Sequence, residues 1–317
     1  MQTILGANGQ IAEELARELH KNYTTAIRLV SRNPKKINQS DQLVSANLLD
    51  CDATDKAIEG SEIVYFTAGL PMNASMWKEQ FPIMMQNVIQ ACKKYHCRLV
   101  FFDNTYMYAK TNEPQTEESS FTPSGSKSTT RSIIAKMVLD EIEKKSLEAV
   151  ICRAPEFYGP GKTQSITNAL IFDKIKQNKK IKIPISDTTL RTLIWTPDAS
   201  RAMALIGNTK DAFYQTWHLP CDDNRLTYKE IIDLTSKSFK QEFSYSIIKM
   251  GMFKIFSLFN ANARELLELL PRYEQDAIFV SDKFKKRFPE FKYTSYKDGI
   301  KKIMTEQTSY KTKASQL

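Results

Sequence analysis

Seven residues near the N-terminus, Gly6-Ala7-Asn8-Gly9-Gln10-Ile11-Ala12, have the types and spacing to hold a phosphate. They follow a short apolar run, Thr3-Ile4-Leu5, and open a stretch in which Ile11, Leu15 and Leu19 recur at spacing four. In a strand, glycine turn and helix read in that order, the glycines let the backbone approach a pyrophosphate. The small Ala12 lets the helix pack on the strand, and the helix N-terminus presents N–H donors to the anion. A second strand ends in Leu29-Val30-Ser31-Arg32-Asn33, where an NAD-selective site carries an acid for the ribose hydroxyls. No carboxylate stands there. Ser31 and Arg32 offer a hydroxyl and a guanidinium suited to a 2′-phosphate, with Lys35 and Lys36 close behind. The expected ligand is a dinucleotide, NADP(H) in preference to NAD(H); an exposed basic loop that touches nothing is the alternative for these four residues.

The elements that position these groups are legible as apolar runs. Thr3 to Leu5, Ala26 to Val30, Glu62 to Thr67, Arg98 to Phe102 and Ala149 to Cys152 have the length and flanks of buried parallel strands. Ile11 to His20, Phe81 to Tyr95 and Ile133 to Lys144 read as one-sided helices between them. The alternation predicts a doubly wound α/β sheet. After Gly159-Pro160-Gly161 the rhythm weakens, and short strands such as Lys180 to Ile185 and Thr192 to Trp195 mark a second region. Residues 244–270 are strongly apolar and read as a core or substrate-covering helix in preference to a membrane-surface one. The polar tail beyond Thr305 reads as a frayed end.

Composition sets the outer bounds. The chain has 317 residues, 42% hydrophobic and 26% charged, which excludes a mainly disordered or fibrous protein. A formal net charge of +9 raises nucleic acid as a ligand, yet the lysines lie in ones and twos, so no nucleic-acid partner is expected. Cys51, Cys92, Cys97, Cys152 and Cys221 show no CxxC spacing, and His20, His96 and His218 share no ligand spacing. Neither a disulfide framework nor a metal site is expected, and the compartment expected is the reducing cytoplasm. No run of about eighteen apolar residues and no leader-like segment is present, so no membrane partner is expected.

These segments resemble the extended short-chain dehydrogenase/reductase superfamily, particularly its NAD(P)-dependent epimerase/dehydratase branch. Ala46-Asn47-Leu48-Leu49-Asp50 is similar to the family's adenine-contacting segment, which places Asn47 and Leu48 at adenine. Phe66-Thr67-Ala68-Gly69-Leu70 resembles the turn passing the cofactor phosphates and ribose. Arg153-Ala154-Pro155-Glu156-Phe157-Tyr158-Gly159-Pro160 resembles the segment beside the nicotinamide, with Pro155 and Phe157 toward cofactor and Glu156 and Tyr158 toward substrate. Arg191, seven residues before Asp198, matches the arginine that meets a nucleotide-sugar diphosphate. The resemblance implies a Rossmann-type doubly wound parallel sheet over residues 1–160, also receiving segments near 190–205. Residues 161–317 then form mainly a smaller, partly discontinuous substrate domain. It further implies a small-molecule substrate such as a nucleotide-sugar. For the helices from Phe81 and from Ile133, a homodimer contact and burial against the sheet are both open.

The resemblance fails where the family does its proton transfer, at a Tyr-x-x-x-Lys pair plus Ser or Thr. Asn104 falls at the hydroxyl position, beside Asp103 and Thr105; Lys127 falls at the tyrosine position and Arg131 at the lysine position. Arg131 is suited to hold a nicotinamide ribose but not to give up a proton. Lys127 is the expected proton donor, with Tyr106, Tyr108, Asp103 and Glu156 as other candidates. The expected activity is an epimerase/dehydratase-like oxidoreductase with a rearranged acid/base group; the alternative is an inactive NADP-binding sensor or regulator.

Overall fold

The computed structural model describes residues 1–161, 163–303 and 305; the tail beyond Thr305 lies outside them. The chain runs β1 (Gln2–Leu5), α1 (Gln10–Asn22), β2 (Ile27–Ser31), β3 (Gln42–Ser45), α2 (Cys51–Ile58), β4 (Ile63–Phe66), α3 (Ala74–Lys94), β5 (Arg98–Asp103), α4 (Ser126–Glu143), β6 (Ala149–Arg153) and β7 (Glu156–Tyr158). A π-helical turn, Asn168–Phe172, leads into α5 (Asp173–Lys176), β8 (Ile181–Pro184), β9 (Leu190–Arg191), β10 (Leu193–Trp195), α6 (Thr196–Gly207) and β11 (Gln215–His218). The remainder is β12 (Leu226–Thr227), α7 (Tyr228–Phe239), β13 (Tyr245–Ile248), α8 (Met250–Phe259), α9 (Ala261–Leu267) and α10 (Asp282–Arg287).

Two compact units result. One comprises Met1–Ala109, Ser119–Ala154 and Ala199–Leu219; the other comprises Lys110–Glu118, Pro155–Asp198 and Pro220–Leu317. The first holds a seven-stranded sheet in the order β11-β6-β5-β4-β1-β2-β3, parallel throughout. All five strands expected from the apolar runs are present. Along them alternate residues, Val64 and Phe66, Leu99 and Phe101, Ala149 and Ile151, share one core with α2, α3 and α4. The chain reverses its order of winding between β1 and β4, and at such a switch point the loops leave a crevice at the carboxyl ends of the strands.

Two helices start earlier than their apolar periodicity indicates. α3 begins at Ala74, where the Asn73 side chain accepts from Met76 N, and it continues through Pro82. Trp77 and Phe81, both buried one turn apart, extend its inner face past the proline that marks a boundary in the sequence. α4 begins at Ser126, and its first two turns carry no apolar residue before Ile133.

The second unit gathers its short strands in pairs, β7 with β10, β8 with β13 and β9 with β12. Its core clusters around Tyr158, Phe172, Trp195, Tyr228, Tyr273 and Tyr296. Of the core or substrate-covering helix expected over residues 244–270, the single core helix is corrected: the segment divides into β13, α8 and α9. α8 buries Phe253 and Ser257, one helical turn apart, packs Met250 partly against the core and leaves Met252, Ile255, Phe256, Leu258 and Phe259 to solvent.

Candidate functional site

The glycine turn is sewn into the carboxyl ends of three strands. Gly6 N donates to Val30 O at 2.9 Å, and Gly9 N donates to Gly6 O at 3.0 Å. Gly6 adopts φ +88°, and a Cβ built there would stand 2.5 Å from Ala68 Cα, so the loop after β1 and the loop after β4 touch backbone to backbone. Gly9 begins α1 without a side-chain cap. Asn8 Nδ2 reaches across to Asn33 O at 2.8 Å, binding this turn to the loop after β2. Ile11 and Ala12 are buried beneath the turn, whereas Asn8 and Gly9 are exposed and Gln10 half-buried. The result is an exposed glycine surface at a helix N-terminus, able to receive an anion.

The end of β2 lies beside it. The Ser31 hydroxyl is buried and finds no hydrogen-bond partner among the described residues. Arg32 accepts from Ser45 Oγ through its carbonyl at 2.8 Å, and its side chain is exposed. Asn47 is exposed and turns its carboxamide oxygen onto Leu49 N at 3.2 Å, while buried Leu48 fixes Asn87 Nδ2 through its carbonyl at 2.9 Å. Thr67 Oγ1 donates to Leu5 O at 2.9 Å, so this hydroxyl ties β4 to β1. Gly69 is exposed, with nothing within 4 Å of the place a Cβ would take.

The second group of expected residues meets where β5 and α4 converge. α4 buries Lys127, Thr130, Arg131, Ile134, Ala135 and Val138, a continuous inward stripe whose first members are charged. Lys127 is 1% exposed. Arg131 donates Nε to Asp103 Oδ1 at 3.0 Å and Nη2 to the same oxygen, with its guanidinium near the rings of Phe81 and Phe101. Asp103 Oδ2 accepts from Arg153 Nε and Nη2 at 3.1 and 3.0 Å. Arg153 Nη1 donates to Tyr108 Oη at 2.5 Å, and Tyr108 Oη lies 2.7 Å from His218 Nε2. A guanidinium only donates, so the Tyr108 oxygen accepts from Arg153 and shares its second hydrogen bond with the His218 nitrogen. Burial opposes the charge on Arg153, and Asp103 with Tyr108 outweighs it, holding that side chain above its ordinary range.

Of the candidate proton donors, Asp103 and Tyr108 are thereby committed to this buried chain of bonds. Tyr106 stacks on Trp77 with ring centroids 6.1 Å apart, and its N–H donates to Asn104 Oδ1 at 3.0 Å. With its oxygen occupied, Asn104 keeps its amide hydrogens for another partner.

Glu156, Phe157, Tyr158 and Arg191 belong to the second unit. Glu156 accepts from Thr167 N and Oγ1 through one oxygen and from Tyr273 Oη through the other. Arg191 is buried, with Nη2 3.8 Å from Glu156, its guanidinium 4.5 Å from the Tyr273 ring centroid, and its Nε without a partner among the described residues. Tyr158 lies in the core between Trp195 and Tyr296 and donates to Ser295 O at 3.2 Å. Burial, then Tyr296 and nearby acids, pushes its phenol well above the ordinary range. Pro155 is buried and Phe157 half-buried on β7.

The contribution of Arg153 and His218 escapes a reading by spacing. They meet Tyr108 because β11, β6 and β5 are neighbours in the sheet, with His218 paired to Arg153 and Asp103 paired to Arg153 in register. Strand order is the one signal that would have found them.

A parallel sheet wound in this order, with a glycine turn at its switch point, defines a Rossmann-type α/β protein. Residues 3–217 match the family model described as the NAD dependent epimerase/dehydratase family, and the chain belongs to that family. None of the curated proteins matches it in sequence. Among solved structures it is similar to the UDP-glucuronic acid 4-epimerase of Bacillus cereus in complex with UDP-glucuronic acid and NAD (TM-score 0.79, 16% identity, 98% of this chain and 100% of that one). It is also similar to the dTDP-glucose 4,6-dehydratase of Bacillus anthracis in complex with NAD (TM-score 0.76, 13% identity, 96% and 95%). A third is the UDP-glucose 4-epimerase of Thermus thermophilus, again with NAD (TM-score 0.73, 13% identity, 95% and 97%). Among the described residues no helix is long and apolar enough to cross a membrane, and no group of three or more His, Cys, Asp or Glu is arranged to hold a metal ion.

Proposed function

We propose that the chain binds a nicotinamide dinucleotide across the carboxyl ends of β1, β2 and β4, NADP(H) in preference to NAD(H), and uses it as an oxidoreductase on a nucleotide-sugar or similar hydroxyl or carbonyl compound. The observation that carries the reading is the buried, partnerless Ser31 hydroxyl beside exposed Arg32, next to an uncapped glycine turn. A buried hydroxyl without a partner costs about 1–3 kcal/mol, and a ribose or 2′-phosphate oxygen supplies the missing bond. Gly6, Asn8, Gly9, Gln10 and Ile11 would hold the pyrophosphate, Asn47 and Leu48 the adenine, and Thr67, Ala68 and Gly69 the remainder.

Bound nicotinamide supplies hydride transfer. The chain contributes the proton: Lys127 Nζ exchanges it with the substrate oxygen, and Asn104 Nδ2 donates a hydrogen bond to that oxygen. Arg131, held by Asp103, supplies fixed positive charge near the ribose. In the second unit, the Arg191 Nε that has no partner among the described residues is assigned to substrate phosphate. The first turn of α4 supports an anionic ligand as well, since it has Lys127 and no acid although cations are unfavourable at a helix N-terminus.

Titration calorimetry of the apo protein tests the cofactor half. NADPH is expected to bind more tightly than NADH, and Arg32→Ala to weaken NADPH by about 1–3 kcal/mol with NADH nearly unchanged. Equal losses on both cofactors would remove the 2′-phosphate assignment. Lys127→Met tests the chemical half. Turnover is expected to fall by about 10²–10⁴-fold with NADPH affinity retained, and undiminished turnover would dismiss Lys127 as the donor. A second reading, a sensor that binds NADP(H) without chemistry, is favoured by the commitment of Arg131, Asp103 and Tyr108 to one another. It is distinguished by tight NADPH binding with no hydride transfer to any carbonyl or nucleotide-sugar.

A further inference from the structure

α8 carries an apolar face that the fold leaves uncovered. Phe253 and Ser257 point inward, while Met252, Ile255, Phe256, Leu258 and Phe259 are exposed, Leu258 by 69% and Phe259 by 86%. Met252, Ile255, Phe256 and Phe259 stand at i, i+3, i+4 and i+7, so they form one stripe rather than scattered single residues. Exposed apolar residues elsewhere on the chain are mostly isolated, and single ones need no explanation; a contiguous group marks an interaction surface.

The charges on α8 and at its N-terminal cap have one sign. At about 100° per residue, Lys249 borders the stripe on one side, and Lys254 lies beyond Leu258 on the other, toward the opposite side of the helix; both are exposed. No acidic residue occurs from Phe243 to Arg264. β13, which leads into α8, pairs with β8, whose approach brings exposed Lys179, Lys180 and Lys182 to the same strand pair. An exposed apolar stripe on a helix whose charged residues are lysines suits a phospholipid surface: the apolar residues enter the boundary between headgroups and acyl chains, and the lysine stems reach to the phosphates. A second copy of the chain suits it less well, because a two-fold contact sets the same lysines against one another with no acid on α8 to pair them.

We infer that α8 docks the protein on the surface of an anionic phospholipid bilayer, without crossing it. This goes beyond the dinucleotide reading and does not depend on it. The test is flotation of the full chain with vesicles of phosphatidylcholine alone, or with about one third phosphatidylglycerol, at low and high salt. The chain is expected to float with the anionic vesicles and to be released by salt. Phe256→Ser/Phe259→Ser and Lys249→Glu/Lys254→Glu should each lower the bound fraction by about tenfold or more while the far-ultraviolet circular dichroism stays unchanged. Absence of flotation, equal flotation with neutral vesicles, or full binding by either variant would overturn the proposal. So would a dimer in sedimentation velocity without lipid that the phenylalanine variant dissociates, since it would assign the face to a second copy.

Discussion

Asp103→Ala is expected to lower the unfolding free energy by about 3–5 kcal/mol, measured by urea denaturation, because it strips the shared counter-charge from two buried guanidinium groups. Arg131 and Arg153 approach this one carboxylate from opposite oxygens, and the Asp103 and Arg153 side chains are almost fully removed from solvent. Without Asp103 the pair faces itself as two like charges in a medium that screens poorly. A variant that removes all three charges, Asp103→Leu/Arg131→Met/Arg153→Met, is expected to cost less than Asp103→Ala alone, since well-packed apolar groups leave no charge uncompensated. A loss below about 1 kcal/mol for Asp103→Ala would show that water reaches the cluster and that the two arginines do not need it.

The network also holds a fixed positive charge at Arg131. Two arginines and one aspartate leave a net charge of one, and the hydrogen bonds to Asp103 fix the Arg131 guanidinium between the Phe81 and Phe101 rings. A charge held that way needs no reorganisation when a ligand arrives. The Arg153–Tyr108–His218 arm extends the rigidity across β6 to β11.

Much of the sheet was legible because both of its faces are covered, so its strands read as unbroken apolar runs such as Ile63–Phe66 and residues 99–102. The glycine turn was legible because φ +88° at Gly6 restricts the residue type. α4 was legible only from Ile133, since its first turns bury Lys127, Ser128, Thr130, Arg131 and Ser132, and polar residues turned inward break the hydrophobic period. α8 misled for the opposite reason: apolar sequence normally signals a core, and here the apolar side faces out. Nothing local separates the two cases, because burial depends on what the rest of the chain provides. The His218–Tyr108 contact spans 110 positions and rests on strand order alone.

Gly6→Ala is expected to damage fold and ligand binding together, whereas Gly9→Ala should damage binding alone. At Gly6 an added methyl meets the Ala68 backbone at 2.5 and 2.7 Å, which no rotamer change relieves, and the left-handed φ adds strain of about 1–3 kcal/mol. The loops after β1 and β4 must then separate at the switch point, so both the melting temperature and dinucleotide affinity fall, the latter by about tenfold or more, or about 1.4 kcal/mol. Gly9 has φ −82°, acceptable to alanine, and its added methyl meets only Gly6 O at 3.4 Å. Alanine there leaves the melting temperature nearly unchanged but places a methyl on the exposed surface that the pyrophosphate is to approach. Calorimetric titration and thermal melting of the two variants separate the roles. If Gly9→Ala binds NADPH as tightly as the parent chain, the anion does not rest on this turn, and the dinucleotide assignment fails even with the fold intact.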